Sequence, residues 1–261
     1  MHFPRKFAGD PKKAERFPRR IDTFPGILQN TIREDQMNQC ELDRVGSMLF
    51  LCMERFKHEL IRMSHKKLTH EDVKDFLLNA YFGDVSDPIY TAANSAYLDL
   101  NRTIEFKKTP DISEERKSAL RQECVEIIKA RIAGLSKDGF FDKEMFESWH
   151  SELCEAICRK YNDSGIHFHY GQAQKWVNMT MKYLSVIDCT QTKGYFECLH
   201  VPIDSIVFDL AYEEFELKRP TNRWSRMTKE EYISYQEALR SKITENTDLS
   251  PLLWEFRSWS R

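Results

Sequence analysis

The chain has 261 residues, 41% apolar and 31% charged, with a net charge of −2. That length supports one sizeable core or two smaller helical bodies, and nine glycines with nine prolines are too few for a turn-rich all-β fold. The near-neutral charge excludes a whole-protein field that attracts polyanions, so any nucleic-acid site has to be a local patch.

Residues 1–31 read as a basic arm rich in Phe and Pro. Arg5, Lys6, Lys12, Lys13, Arg16, Arg19 and Arg20 outnumber Asp10 and Glu15, while Pro4, Pro11, Pro18 and Pro25 interrupt regular structure. The arm is either solvated or touches phosphates. Its start lacks the apolar core of a secretory signal, and no run reaches the ~18 apolar residues of a membrane span. With seven cysteines, an odd number, the expectation is a cytoplasmic protein with free thiols and no membrane partner.

Residues 32–110 are expected to form an N-terminal helical subdomain. A long helix is predicted over 34–66 from Leu42, Val45, Leu49, Cys52, Phe56, Leu60 and Met63. Thr69 with Asp72 marks the start of the next helix, whose stripe is Val73, Phe76, Leu77 and Ala80 and whose end suits Gly83. Pro88 opens a third. Residues 111–261 are the third region. Asp111 with Glu114 resembles a capping box. Helices follow on Leu120, Cys124, Ile127, Ile128 and Ile132, and on Met145, Trp149, Leu153, Ala156 and Ile157. After a non-helical patch from Asn162 to Tyr170, helices are predicted at about 172–188, 204–217, 228–246 and 251–258, with Thr228 and Glu231 as another capping box. No paired strands emerge, so the fold class is all-α.

The chemistry concentrates between 165 and 211. His169-Tyr170-Gly171-Gln172-Ala173 places small residues before a helical pattern, where exposed backbone amides and the helix dipole can hold a phosphate oxygen. Lys175 is expected in the first turn of that helix, and shares a face with Asn178 and Lys182. Pro202 keeps Val201 extended, and Asp204 then arrives at the start of a later helix. Taken singly, Asp204 reads first as an N-cap and Lys175 as a surface lysine.

Taken together, Gly171, Lys175 and the segment Val201-Pro202-Ile203-Asp204 resemble the helix-hairpin-helix DNA glycosylase superfamily. In that family a glycine-containing hairpin leads into a helix bearing a catalytic lysine, and a V-P-[VI]-D segment delivers a catalytic aspartate. Ala173 stands where the second hairpin glycine is usual. The separation of 29 positions between Lys175 and Asp204 is most similar to the archaeal 8-oxoguanine glycosylase branch. The resemblance implies two helical subdomains flanking an active-site cleft, with Lys175 and Asp204 as catalytic groups and Gly171 and Ala173 on the DNA backbone. It implies a duplex-DNA partner carrying a damaged or modified base, no cofactor, no metal and no obligate protein partner. His169, Gln172, Trp176 and His200 border these motifs and are candidates for the base pocket. Gln172 and Gln174 either hydrogen-bond base edges or face water, and the aromatics Trp224, Trp254, Phe256 and Trp259 have core or base-stacking readings. A lysine nucleophile implies AP-lyase strand cleavage, whereas a lysine that orients water implies a monofunctional enzyme.

Three other readings stay open. The chain is a helical nucleic-acid-binding protein without chemistry, or an interaction protein with no DNA role, or a metal enzyme using His167, His169, Cys198 and His200. The last set lacks a usual zinc spacing.

Overall fold

A computed structural model describes residues 68–106, 112–135 and 142–259. The expected arm at 1–31 and the helix at 34–66 lie outside the described residues. Within them there is no strand, and there are eight α-helices: α1 His70–Phe82, α2 Pro88–Leu100, α3 Glu114–Leu135, α4 Lys143–Asn162, α5 Tyr170–Ile187, α6 Ser205–Phe215, α7 Lys229–Asn246 and α8 Pro251–Ser258. No described helix is long and apolar enough to cross a membrane.

Side-chain caps fix most of the helix starts. The Thr69 amide donates to Asp72 Oδ2 at 2.9 Å, and the Asp72 amide returns a bond to Thr69 Oγ1 at 3.1 Å, so two of the amides left over at the start of α1 are satisfied. Thr228 and Glu231 repeat the device at α7. Asp87 accepts from the Tyr90 amide before Pro88, and Asp142 accepts from Met145. Ser113 accepts from the Arg116 amide at the start of α3; Asp111, the expected cap, lies outside the described residues. Gly83 closes α1 with φ +80°, a conformation that a Cβ disfavours.

The buried stripes follow the helical period. On α3 Leu120, Cys124, Ile128, Ile132 and Leu135 face inward. On α4 the stripe is Phe146, His150, Leu153, Cys154, Ile157 and Tyr161, one position on from the predicted Met145 and Trp149, and Met145 is exposed. Phe76, placed on the buried side of α1 from its spacing, is also exposed.

Helix α5 is the axis of the fold. Every residue in it except Val186 is buried. Helix α2 lies along it more extensively than any other pair of elements pack. The contacting side of α2 carries Ala92, Ala93 and Ala96, all with no exposed surface, and small side chains let two helix axes approach. The Trp176 indole fills the remaining space and donates to the Ala93 carbonyl at 2.9 Å. Near the other end of α5, Lys182 donates to Glu255 of α8 at 2.6 Å and lies 5.0 Å from the ring centres of both Phe256 and Trp259. A charge left alone in such a place costs about 3–5 kcal/mol, so the two ions occur together.

Candidate active site

The connection that feeds α5 lies where the non-helical patch is expected, but the small residues at 171 and 173 are not part of it. Helix α4 ends at Asn162, and residues 163–169 form the connection, with Gly165 at φ +75°. The Asn162 side chain holds that connection through the Phe168 amide and carbonyl, at 3.0 and 3.3 Å. His169 is the residue before α5, and its amide donates to Gln172 Oε1 at 2.8 Å.

Gly171 and Ala173 are therefore inside the helix, and both are buried. The Gly171 amide donates to the Met227 carbonyl at 3.1 Å, and the Ala173 amide to the His169 carbonyl at 3.2 Å. Amides engaged inside the protein do not face a phosphate. Lys175 is accordingly the sixth residue of α5, past the first turn in which the helix dipole acts most strongly.

Lys175 and Asp204 do meet. Lys175 Nζ is 2.6 Å from Asp204 Oδ2, and their side chains are 6% and 15% exposed. The other carboxylate oxygen, Oδ1, accepts from the Val207 amide at 2.9 Å and caps α6. The structural and the chemical readings of Asp204 are thus compatible, one oxygen for each. The Lys175 amine also approaches the Pro202 carbonyl at 3.4 Å.

Gln174 holds the aspartate segment in place. Its Nε2 donates to the Ile203 carbonyl at 2.8 Å and to the Gly171 carbonyl at 3.0 Å. Its Oε1 accepts from the Ile203 amide at 3.2 Å and from Asn178 at 3.1 Å. A primary amide has two donors and two acceptor sites, and all four are used in a group with no exposed surface. Both backbone groups of Ile203, the residue before Asp204, are therefore fixed to the helix that carries Lys175. The sequence signal is a polar stripe at 174, 175, 178 and 182, a pattern that reads equally as a solvated face.

Behind that stripe a polar chain runs through the core. Asn178 donates to the Tyr232 hydroxyl at 2.9 Å, and Asn178 Oδ1 lies 2.9 Å from His150 Nε2. His200 places Nδ1 2.7 Å from the Tyr232 hydroxyl and Nε2 2.9 Å from Glu147 Oε1. Burial holds the His150 imidazole well below its ordinary pKa, and nearby His200 adds to this against the Asn178 hydrogen bond. Burial lowers His200 as well, against its bond to Glu147. In the unfolded chain both rings take up a proton near pH ~6.5, and in the fold they resist it. The unfolded state thus binds more protons below ~6.5, so stability falls as pH drops through that value, by up to about 1.4 kcal/mol per pH unit for each ring. Denaturation midpoints measured from pH 8 to 5.5 are expected to decline; midpoints that stay level contradict the neutral, buried assignment.

The structure does not gather the other candidates into a pocket. Trp176 is sealed in the core against α2. Gln172 is buried, donating to the Thr103 carbonyl at 2.8 Å. His200 belongs to the polar chain. Only His169 is partly exposed, with its ring 4.2 Å from that of His167. With their polar atoms already bonded, Trp176, Gln172 and His200 offer no edge to a base. No group of three or more His, Cys, Asp or Glu with metal-binding geometry occurs among the described residues. A shallow depression of about 350 Å³ lined by Lys143, Glu237, Arg240, Ser241, Thr244 and Glu245 includes neither Lys175 nor Asp204. No protein-family model, curated protein or solved structure matches the chain.

Proposed function

We propose that the protein is a DNA glycosylase that flips a damaged or modified base out of duplex DNA and cleaves its bond to the sugar with Asp204 and Lys175. The observation that supports this most is the contact of 2.6 Å between amine and carboxylate, between two residues that the sequence resemblance paired. Leaving of the base builds positive charge on the sugar, and the Asp204 carboxylate stabilises it. Lys175, once its proton has passed to water, forms a bond from Nζ to C1′ as the bond from C1′ to the base nitrogen breaks. The base leaves with the electron pair and takes up a proton. Ring opening then gives an imine, from which β-elimination cuts the strand. The base must be extruded first. Oxidised guanine is the first candidate, and a modified base such as phages place in their DNA is the second.

The test is incubation of the full chain with duplexes carrying a panel of oxidised and modified bases, read by base release and by a covalent adduct after borohydride. Release together with an adduct supports the bifunctional enzyme, and release alone the monofunctional one. Neither product on any duplex overturns the proposal. A second reading, a nucleic-acid-binding protein that keeps the fold without the chemistry, is favoured by one feature: Lys175 and Asp204 already satisfy each other, and Asp204 caps α6. It predicts DNA binding with no base release.

A further inference from the structure

The segment after α6 runs Leu217-Lys218-Arg219-Pro220-Thr221-Asn222-Arg223-Trp224-Ser225-Arg226. It holds four basic residues and no acidic one, in a chain with 39 Lys and Arg against 41 Asp and Glu. Lys218, Arg219, Arg223 and Arg226 are all exposed. Arg226 pairs with Glu105 at 2.7 Å; Lys218, Arg219 and Arg223 have no ion-pair partner among the described residues.

The fold fixes where this segment lies. Helix α6 begins beside Asp204 and its 11 residues carry the chain ~16 Å away. The segment then returns. Its 3-10 turn, Trp224–Arg226, packs on the start of α5, and the next residue, Met227, accepts the Gly171 amide. A Cβ built at Gly171 would fall 1.9 Å from the Trp224 carbonyl oxygen. Gly171 and Lys175 are four residues apart and share a helix face, ~6 Å from one another. The turn therefore sits one helical turn from the Lys175 amine, on its side of α5. Of the three unpaired cations, Arg223 adjoins this anchored turn, while Lys218 and Arg219 follow the far end of α6, so the basic segment runs from there to the helix that bears the amine.

We infer that residues 218–226 form the phosphate-binding edge of this site and take the backbone of duplex DNA through Lys218, Arg219 and Arg223. This rests on reading Lys175 and Asp204 as a DNA-directed site. It supplies the local positive patch that a chain of net charge −2 needs, at a place other than the Gly171 and Ala173 amides. Exposed cations of this kind act by displacing counterions from phosphates, so their signature is salt dependence rather than sequence preference.

The experiment measures the affinity of the full chain for an unmodified duplex by fluorescence anisotropy between 50 and 300 mM salt, conditions chosen as on the order of those where counterion release is resolved. The variant is Lys218→Gln/Arg219→Gln/Arg223→Gln. The control is Lys74→Gln/Arg131→Gln/Lys242→Gln, which makes the same change in net charge on α1, α3 and α7. In the loop variant the slope of log affinity against log salt is expected to become shallower by about 2.7, at about 0.9 per phosphate contact, while the control keeps the parental slope. An unchanged slope in the loop variant, or an equal change in both variants, overturns the assignment. Base release by the parent protein is scored separately. Release with a loop-independent slope leaves the glycosylase reading standing without this edge, and a loop-dependent slope without release keeps the edge and removes the glycosylase. Absence of DNA binding by the parent removes both.

Discussion

Lys175→Gln is expected to abolish the borohydride adduct and to lower base release on the order of 10³-fold, within the range for losing a positioned proton-transfer or nucleophilic group. The substitution is chosen for what it retains. Gln keeps a hydrogen-bond donor near Asp204 Oδ2, whereas an alanine would open a cavity beside a partly buried carboxylate. The Asp204 Oδ1 bond to the Val207 amide, which caps α6, does not involve the amine and persists. A companion variant, Asp204→Asn, keeps the cap because Asn serves that position as well as Asp does, yet removes the negative charge. If chemistry depends on the pair, both variants lose base release while their circular dichroism remains parental. Parental base release and adduct formation in Lys175→Gln overturn the assignment of the nucleophile.

Gly171→Ala carries the largest expected effect on stability. Alanine is the better helix former by about 1 kcal/mol, so propensity alone predicts a gain. Packing predicts the reverse. The added Cβ would meet the Trp224 carbonyl oxygen at 1.9 Å and the Met227 nitrogen at 3.0 Å. Both are backbone atoms, and neither swings away as a side-chain tip does. Relief requires the 224–227 turn to leave α5, which also breaks the Gly171 bond to the Met227 carbonyl. Overpacking of this kind costs about 1–3 kcal/mol and sometimes more, and here the lost hydrogen bond adds to it, for a net destabilisation of about 2–4 kcal/mol. Urea denaturation measures it. Gly134 in α3 has nothing within 4 Å of a built Cβ, so Gly134→Ala is expected to be neutral or to stabilise. A Gly171→Ala protein as stable as its parent refutes the close approach.

Helical spacing made the all-α class legible, because the apolar residues of α3 and α4 recur at three and four and the caps announce themselves. Thr69 with Asp72 and Thr228 with Glu231 are local, and local signals survive in one dimension. The proximity of Lys175 and Asp204 was legible only through the resemblance, since 29 intervening positions contain nothing that measures distance. The role of Gly171 was misread for a physical reason. Glycine serves tight turns, but it also serves close contact with another backbone, and the second use depends on Trp224, 53 positions away, whose location no periodicity encodes. The role of Gln174 is hidden in the sequence for a similar reason. Its four partners include both backbone groups of Ile203, and a side chain that binds backbone leaves no pattern in its partners' identity.

A helix with every residue but Val186 buried has almost no position at which mutation is silent. Because α5 bears the amine and is also the beam on which α2, α4, α7 and the 224–226 turn rest, an unguided screen for inactive proteins would return folding failures along its whole length, and the few substitutions that report on chemistry would be lost among them. Natural drift meets the same constraint: the outer helices have exposed positions to vary, while this one element is obliged to change in concert with its neighbours or hardly at all.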